Sequence, residues 1–152
     1  MTSSKIVIRP MTGTDLEAAI ALDNRITGNS RRGFFEKRWA ALGGSPDSFV
    51  WLVAGQGTQL VGFVSAHVLD GEFGGTAPTA VIDAIGVVPE LRNQGVARAL
   101  MTTLENQLKG RGIVELRTEA DWVEHDLVRF FATAGFQLAP SLALESDIVT
   151  HL

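Results

Sequence analysis

The sharpest change of period in this chain falls between residues 80 and 110. Ala80 to Val88 is rich in β-branched residues and is closed by Pro89, which reads as a strand. The pattern then switches. Ala97, Leu100, Met101, Leu104 and Leu108 stand at i, i+3, i+4, i+7 and i+11, the apolar face of an amphipathic helix ending at Gly110. A strand that passes through a short loop into a long one-sided helix must lay that helix back on its own sheet, so a layered α/β arrangement is required.

The flanking sequence alternates in the same way. Lys5 to Arg9 reads as a first strand ended by Pro10, and Thr14-Asp15-Leu16-Glu17 has the form of a capping box before a helix. Thr27-Gly28-Asn29-Ser30 breaks that helix, and a second runs from Arg31 to Leu42 before Gly43-Gly44. Phe49 to Ala54 and Gln59 to Leu69 are strands joined across Gly55-Gln56-Gly57. Asp70 to Ala77 is a glycine-rich connection, Ile113 to Glu119 a strand and Val123 to Ala134 a helix. Phe136 to Ser146 returns as one or two strands. The expected fold class is a mixed α/β single domain over residues 1–152, with no internal repeat or linker.

Composition removes several functions. The longest apolar run, Phe49 to Ala54, is six residues, far too short for a membrane span. The chain has no cysteine, which excludes disulfide scaffolds, thiolate metal sites and a cysteine nucleophile. With no signal peptide legible around Lys5 and Arg9, a cytoplasmic protein is expected, without a metal. Thirteen basic against 17 acidic residues give a net charge of −4, a poor balance for nucleic-acid binding. A local basic cluster, Arg31, Arg32, Lys37 and Arg38, can still meet an anion.

The loop between the strand and the long helix, Arg92-Asn93-Gln94-Gly95-Val96-Ala97-Arg98, carries the chemistry. The first turn of a helix presents backbone N–H groups without internal partners, and the helix dipole adds positive potential there. Gly95 and Ala97 keep side chains out of the way, while Arg92 and Arg98 add full charges, as a phosphate cradle needs. The alternative is a tight turn in which Gly95 only relieves strain. A Walker loop and a dinucleotide fingerprint are both absent.

These residues resemble a known family. Arg92-x-x-Gly95-x-Ala97, after a strand ending in Gly86-Val87-x-Pro89, is similar to the Arg/Gln-x-x-Gly-x-Gly/Ala signature of the GNAT (GCN5-related) N-acetyltransferases. Phe130 to Phe136 resembles that family's Phe/Leu-Tyr-x-x-x-Gly-Phe segment, and Ile8-Arg9-Pro10 with Asp15 resembles its opening strand. The resemblance implies a mostly antiparallel sheet of six to seven strands, splayed between the fourth and fifth, with about four helices. It implies acetyl-CoA as donor, with the backbone of Ile85, Gly86 and Val87 pairing with the pantetheine arm. The N–H groups of Asn93, Gln94, Gly95, Val96, Ala97 and Arg98 would hold the pyrophosphate, and the Val87 N–H would polarise the thioester carbonyl. It also implies a homodimer paired through C-terminal strands, here the apolar Leu142 to Val149.

Amine acetylation needs a proton acceptor. Glu119 stands twelve residues before Phe131, where the resembling ribosomal-protein acetyltransferases have a glutamate proposed as base. It could equally pair with Arg117 or be solvated. Asp83 lies two residues before Ile85, expected on the same face, where other members use a carboxylate. Its alternative is a structural hydrogen bond, since an unpaired carboxylate in an apolar strand is costly. Phe131 departs from the family, which often has a tyrosine there to protonate the leaving thiolate, and this chain has no tyrosine. Water or His125 could serve instead. Glu124 departs too, and Asp121 to Glu124 reads as a helix cap. On the acceptor side Arg31, Arg32 and Phe34 suggest an amine, of a small molecule or a peptide, that also bears a carboxylate or phosphate. Solvated helix charges are the plainer reading. Trp122 walls the acyl cleft or belongs to the core, and Asp70 to Gly75 can rim it. Two functions result: an acetyl-CoA-dependent amine N-acetyltransferase acting by direct transfer, or an acyl-CoA-binding regulatory module with little turnover.

Overall fold

Five strands join in the order β1-β2-β3-β4-β5: β1 (Ile6–Pro10), β2 (Phe49–Gln56), β3 (Gln59–Asp70), β4 (Pro78–Val87) and β5 (Glu115–Thr118). The first four pair antiparallel and β5 joins β4 in parallel. Four α-helices accompany them, α1 (Leu16–Thr27), α2 (Arg32–Gly44), α3 (Val96–Gly110) and α4 (His125–Thr133). This computed structural model describes residues 5–70, 77–119, 125–139 and 144–148. The chain divides into two compact units, Met1–Glu119 and Ala120–Leu152.

In the first unit the sheet is covered on both faces, which is why Val50 to Ala54 of β2 are all buried. Ala19, Ile20 and Leu22 of α1 and Phe35 of α2 pack with Trp51, Val53, Phe63 and Ala84 on one face. Phe35 meets Trp51 and Phe63 edge-on at ring separations of 5.5 and 5.6 Å. On the other face, Val96 and Leu100 of α3 lie so close to Gly62 that a Cβ there would meet each at 3.3 Å. The periodicity of α3 is realised as read, with Leu100, Met101, Leu104 and Leu108 buried. In the second unit, α4 carries Phe131, 4% exposed, against Phe130 and Phe136 at ring separations of 5.3 and 4.9 Å.

Three expectations need correction. The capping box is Thr12 with Asp15, on a 3-10 turn (Gly13–Asp15) that runs into α1, not Thr14 with Glu17: the Thr12 N–H donates to Asp15 Oδ2 at 2.9 Å, and Arg9 holds the same carboxylate in a two-bonded fork at 2.7 and 2.9 Å. The fifth strand is shorter than Ile113 to Glu119. The Ile113 N–H is taken by the Leu108 carbonyl at 3.0 Å, so the chain is still leaving α3 there. The described residues hold five strands, not six or seven, and none falls at 136–139 or 144–148.

The Arg9 fork also makes a pH prediction. Hydrogen bonding from Arg9, helped by Thr12, holds the Asp15 carboxyl down to about 2. A carboxyl depressed in the folded state contributes stability above its unfolded value of about 4, and loses it as pH falls through the folded value. Thermal unfolding between pH 4 and pH 2 should therefore steepen in wild type relative to Arg9→Met, and equal slopes would remove the fork from the acid response.

Candidate active site

The pairing of β4 with β5 runs from Thr79 opposite Glu115 to Ile82 opposite Thr118 and stops. From Asp83 onward that edge of β4 has no strand partner among the described residues, while the other edge stays paired to β3 as far as Val87 opposite Gly62. This is the splay expected between the fourth and fifth strands. The Val88 N–H crosses to the Val61 carbonyl at 2.9 Å. Because successive backbone groups of a strand point to opposite edges, the N–H and C=O of Val87 and Ile85 turn toward the open one.

A β-bulge marks the same point. Ala66 faces Ile82 and Ser65 faces Ala84, so Asp83 is an extra residue on β4 without a partner of its own. The bulge changes the parity of the strand. Ala84 packs with the α1 and α2 cluster, and a Cβ on Gly86 would meet Ile26 at 2.9 Å and Phe63 at 3.0 Å on that side. Asp83 turns to that face too, toward Arg38 of α2, and Ile85 to the opposite one, contrary to the expectation that they share a face. Gly86 thus has a packing reason to be glycine.

Beyond β4, a 3-10 turn at Pro89–Leu91 leads into the loop. Asn93 (φ 64°) and Gly95 (φ 85°) both adopt the left-handed conformation, which aims successive N–H groups to one side. The first bond of α3 runs from the Ala99 N–H to the Gly95 carbonyl at 2.9 Å, so the N–H groups of Val96, Ala97 and Arg98 have no acceptor within the helix. A Cβ at Gly95 would have nothing within 4 Å, so the loop is open on that side of Gly95. Arg92, Asn93, Gln94 and Arg98 are exposed around it, while the Val96 side chain is buried and contributes only its backbone. Arg25, in the last turn of α1, pairs with Glu90 just ahead of the loop.

The two candidate carboxylates flank the point where the strands part. Asp83, its side chain 9% exposed, lies 2.8 Å from His67 Nδ1 through Oδ2 and 3.4 Å from an Arg38 nitrogen through Oδ1. A carboxylate oxygen accepts, so His67 donates from Nδ1 and keeps Nε2 for another partner. Glu119 stands one residue past β5 and is exposed, and Arg117 pairs with Glu115 instead. Sequence reasoning missed His67. Its signal was a lone imidazole in the apolar run Gly62 to Leu69.

Of the residues expected on the acceptor side, Arg31 grips the buried Asp23 of α1 through two bonds of 2.8 and 2.5 Å. Arg32 grips Glu17 at 2.7 and 2.8 Å, which raises the arginine and lowers the glutamate from their usual values. Arg32 and the preceding Arg31 therefore tie the start of α2 to α1. Phe34 is half-buried, with Arg31 and Arg38 over its ring at 5.9 and 5.3 Å. Trp122, the 121–124 cap and residues 71–75 lie outside the described residues, as does the His125 side chain. A polar cavity of about 240 Å³ lies elsewhere, under Lys5, Arg9, Thr14 and Thr58 at the β1 edge. Among the described residues no helix is long and apolar enough to cross a membrane, and no cluster of three metal-ligating side chains occurs.

Comparisons with known proteins fit this geometry. No curated protein matches the chain in sequence. Among solved structures, an aminoglycoside N-acetyltransferase in complex with CoA superposes with a TM-score of 0.81 at 18% identity, over 97% of each chain. An aminoglycoside 6'-N-acetyltransferase from Acinetobacter haemolyticus gives 0.79 at 21% identity, over 93% of this chain and 97% of that one. A transcriptional regulator from Bacillus halodurans gives 0.78 at 19% identity, over 95% and 100%. Likeness at such identities establishes the fold. The model of the acetyltransferase (GNAT) family matches residues 16–136, which takes in α1, α2, the splayed strands and the glycine loop. The chain therefore belongs to the GNAT acetyltransferase family and is an N-acetyltransferase.

Proposed function

We propose that residues 1–152 form one domain that moves an acetyl group from acetyl-CoA directly to a primary amine within a ternary complex. The observation that carries this reading is the continuity of the β4 edge with the loop. The open edge of β4 leads through one 3-10 turn into left-handed residues and helix amides without intrahelical acceptors, a strip of hydrogen-bonding groups suited to an extended amide arm ending in a diphosphate. Acetyl-CoA supplies the activated thioester. The amides from Asn93 to Arg98 receive the pyrophosphate, with Arg92 and Arg98 adding charge. Ile85, Gly86 and Val87 align the arm, and the Val87 N–H donates to the thioester carbonyl. Asp83 takes the proton of the acceptor ammonium, with Glu119 the other candidate across the gap. The absence of cysteine supports transfer without an acyl-thiol intermediate on the protein.

Calorimetric titration of acetyl-CoA into the pure protein tests the donor half, with binding in the micromolar range expected. A flat titration of the wild type would set the reading aside. The alternative of an acyl-CoA-binding module with little turnover, raised because Phe131 has no hydroxyl to give a leaving thiolate, is disfavoured by membership of the acetyltransferase family. It requires donor binding without thiol release in the presence of any amine. An alkyl thiol with a pKa of about 8.5 can leave as the thiolate, so the phenylalanine is compatible with turnover.

A further inference from the structure

From the side chains around Asp83, we infer that the acceptor is a small amine bearing its own carboxylate, and that Arg38 is the residue that binds this carboxylate. The inference rests on the proposed acetyl transfer and names its substrate class. Arg31 and Arg32, expected to meet an anionic acceptor, are each committed by two bonds to a carboxylate of α1, whereas Arg38 of α2 has one polar contact among the described residues, to Asp83 of β4. Its bond to Asp83 is long, 3.4 Å, and Asp83 makes its shorter bond to His67. The one fully buried side-chain nitrogen or oxygen without a hydrogen bond among the described residues is Trp51 Nε1. The remaining Arg38 nitrogens and His67 Nε2 therefore reach solvent.

The position of Arg38 suits recognition. Its guanidinium lies over Phe34 at 5.3 Å and Phe49 at 5.7 Å, so the planar fork is held before any ligand arrives. Phe49 faces His67 across β2 and β3, and His67 faces Val81 across β3 and β4. A row of side chains thus leads from the aromatic platform to the bulge where β4 opens. A guanidinium and a carboxylate 3.4 Å apart at that opening fit a zwitterion, its ammonium toward Asp83 and its carboxylate across the fork of Arg38. The proximity of Asp83 disfavours a dianionic phosphate in the same place. A polycation such as an aminoglycoside fits poorly as well, because Glu17 and Asp23 on this side are already neutralised by arginine.

The test is CoA release from acetyl-CoA with matched amines: phenylalanine against phenethylamine, lysine against cadaverine, with phosphoethanolamine and kanamycin alongside. Turnover should favour an amino acid over its decarboxylated partner by about tenfold or more in kcat/KM, the scale of a charge-assisted hydrogen bond. Arg38→Gln should raise KM for that amino acid by a similar factor and abolish the preference, while Arg38→Lys, charged but unforked, falls between. A merely structural arginine would instead change acetyl-CoA affinity or melting temperature, both measured on the same variants. Preference for a decarboxylated amine, phosphoethanolamine or kanamycin overturns the inference. So does an unchanged preference in Arg38→Gln, or silence from every amino acid while acetyl-CoA still binds. Failure of acetyl-CoA to bind at all overturns the donor reading beneath it.

Discussion

Replacing Gly95 by aspartate is expected to weaken acetyl-CoA binding by at least about 100-fold, equivalent to about 2.7 kcal/mol, while the protein stays folded. The position separates steric from electrostatic causes. Nothing lies within 4 Å of a Cβ built there, so the first atom of a new side chain enters open space beside the loop. The backbone is left-handed, φ 85°, which most side chains resist at a cost of about 1–2 kcal/mol but aspartate and asparagine tolerate better. What aspartate adds is a charge where a diphosphate is to sit. Two unit charges about 4 Å apart repel by about 4 kcal/mol at an effective dielectric of 20, less with salt screening. Gly95→Asn supplies the same shape and the same backbone tolerance without the charge, and should lose about tenfold or less. Equal losses in the two variants would mean crowding. No loss in Gly95→Asp would remove the loop from donor binding.

The second large effect concerns stability. Arg31→Ala should destabilise the protein by about 3 kcal/mol, because it strands the Asp23 carboxylate, whose side chain is 4% exposed, away from its partner. For a chain of this size that amounts to a fall in melting temperature of roughly 6–12 °C. The guanidinium also lies 5.9 Å from both the Phe34 and Phe35 rings, so its stem and face are lost with the charge. Adding Asp23→Asn to Arg31→Ala should recover part of the loss, since an amide is far cheaper than a carboxylate to bury alone. If Arg31→Ala instead melted as wild type and raised the acceptor KM, Arg31 would return to the acceptor site and the clamp would be dispensable.

The contrast between Arg31 and Arg38 shows how far the sequence could be read. All the basic residues of that stretch look alike along the chain, and which of them is neutralised depends on where Asp23, Glu17 and Asp83 arrive in space. Asp83 shows the same limit on a strand. Alternation placed it on the face of Ile85, but one extra residue opposite Ser65 and Ala66 reverses the parity, and no local pattern in Ala80 to Val88 announces a bulge. His67 could be noticed as a polar residue in an apolar strand, yet its partner lies sixteen positions away, across an antiparallel pair.

What the sequence determined by itself is the set of features that depend on neighbours along the chain. The period of 3.6 in Ala97 to Leu108, the β-branched run before Pro89 and the single glycine between them prescribe strand, loop and helix. The exposed helix amides at the loop follow from backbone geometry alone. The tertiary structure decided what depends on contacts across it: the parting of β4 from β5 after Ile82, the commitment of Arg31 and Arg32 to α1, and the gathering of Arg38, His67 and Asp83 at the bulge. Backbone hydrogen bonding and side-chain periodicity act over a few residues, whereas ion pairing and strand register are chosen only when distant segments compete for the same partner.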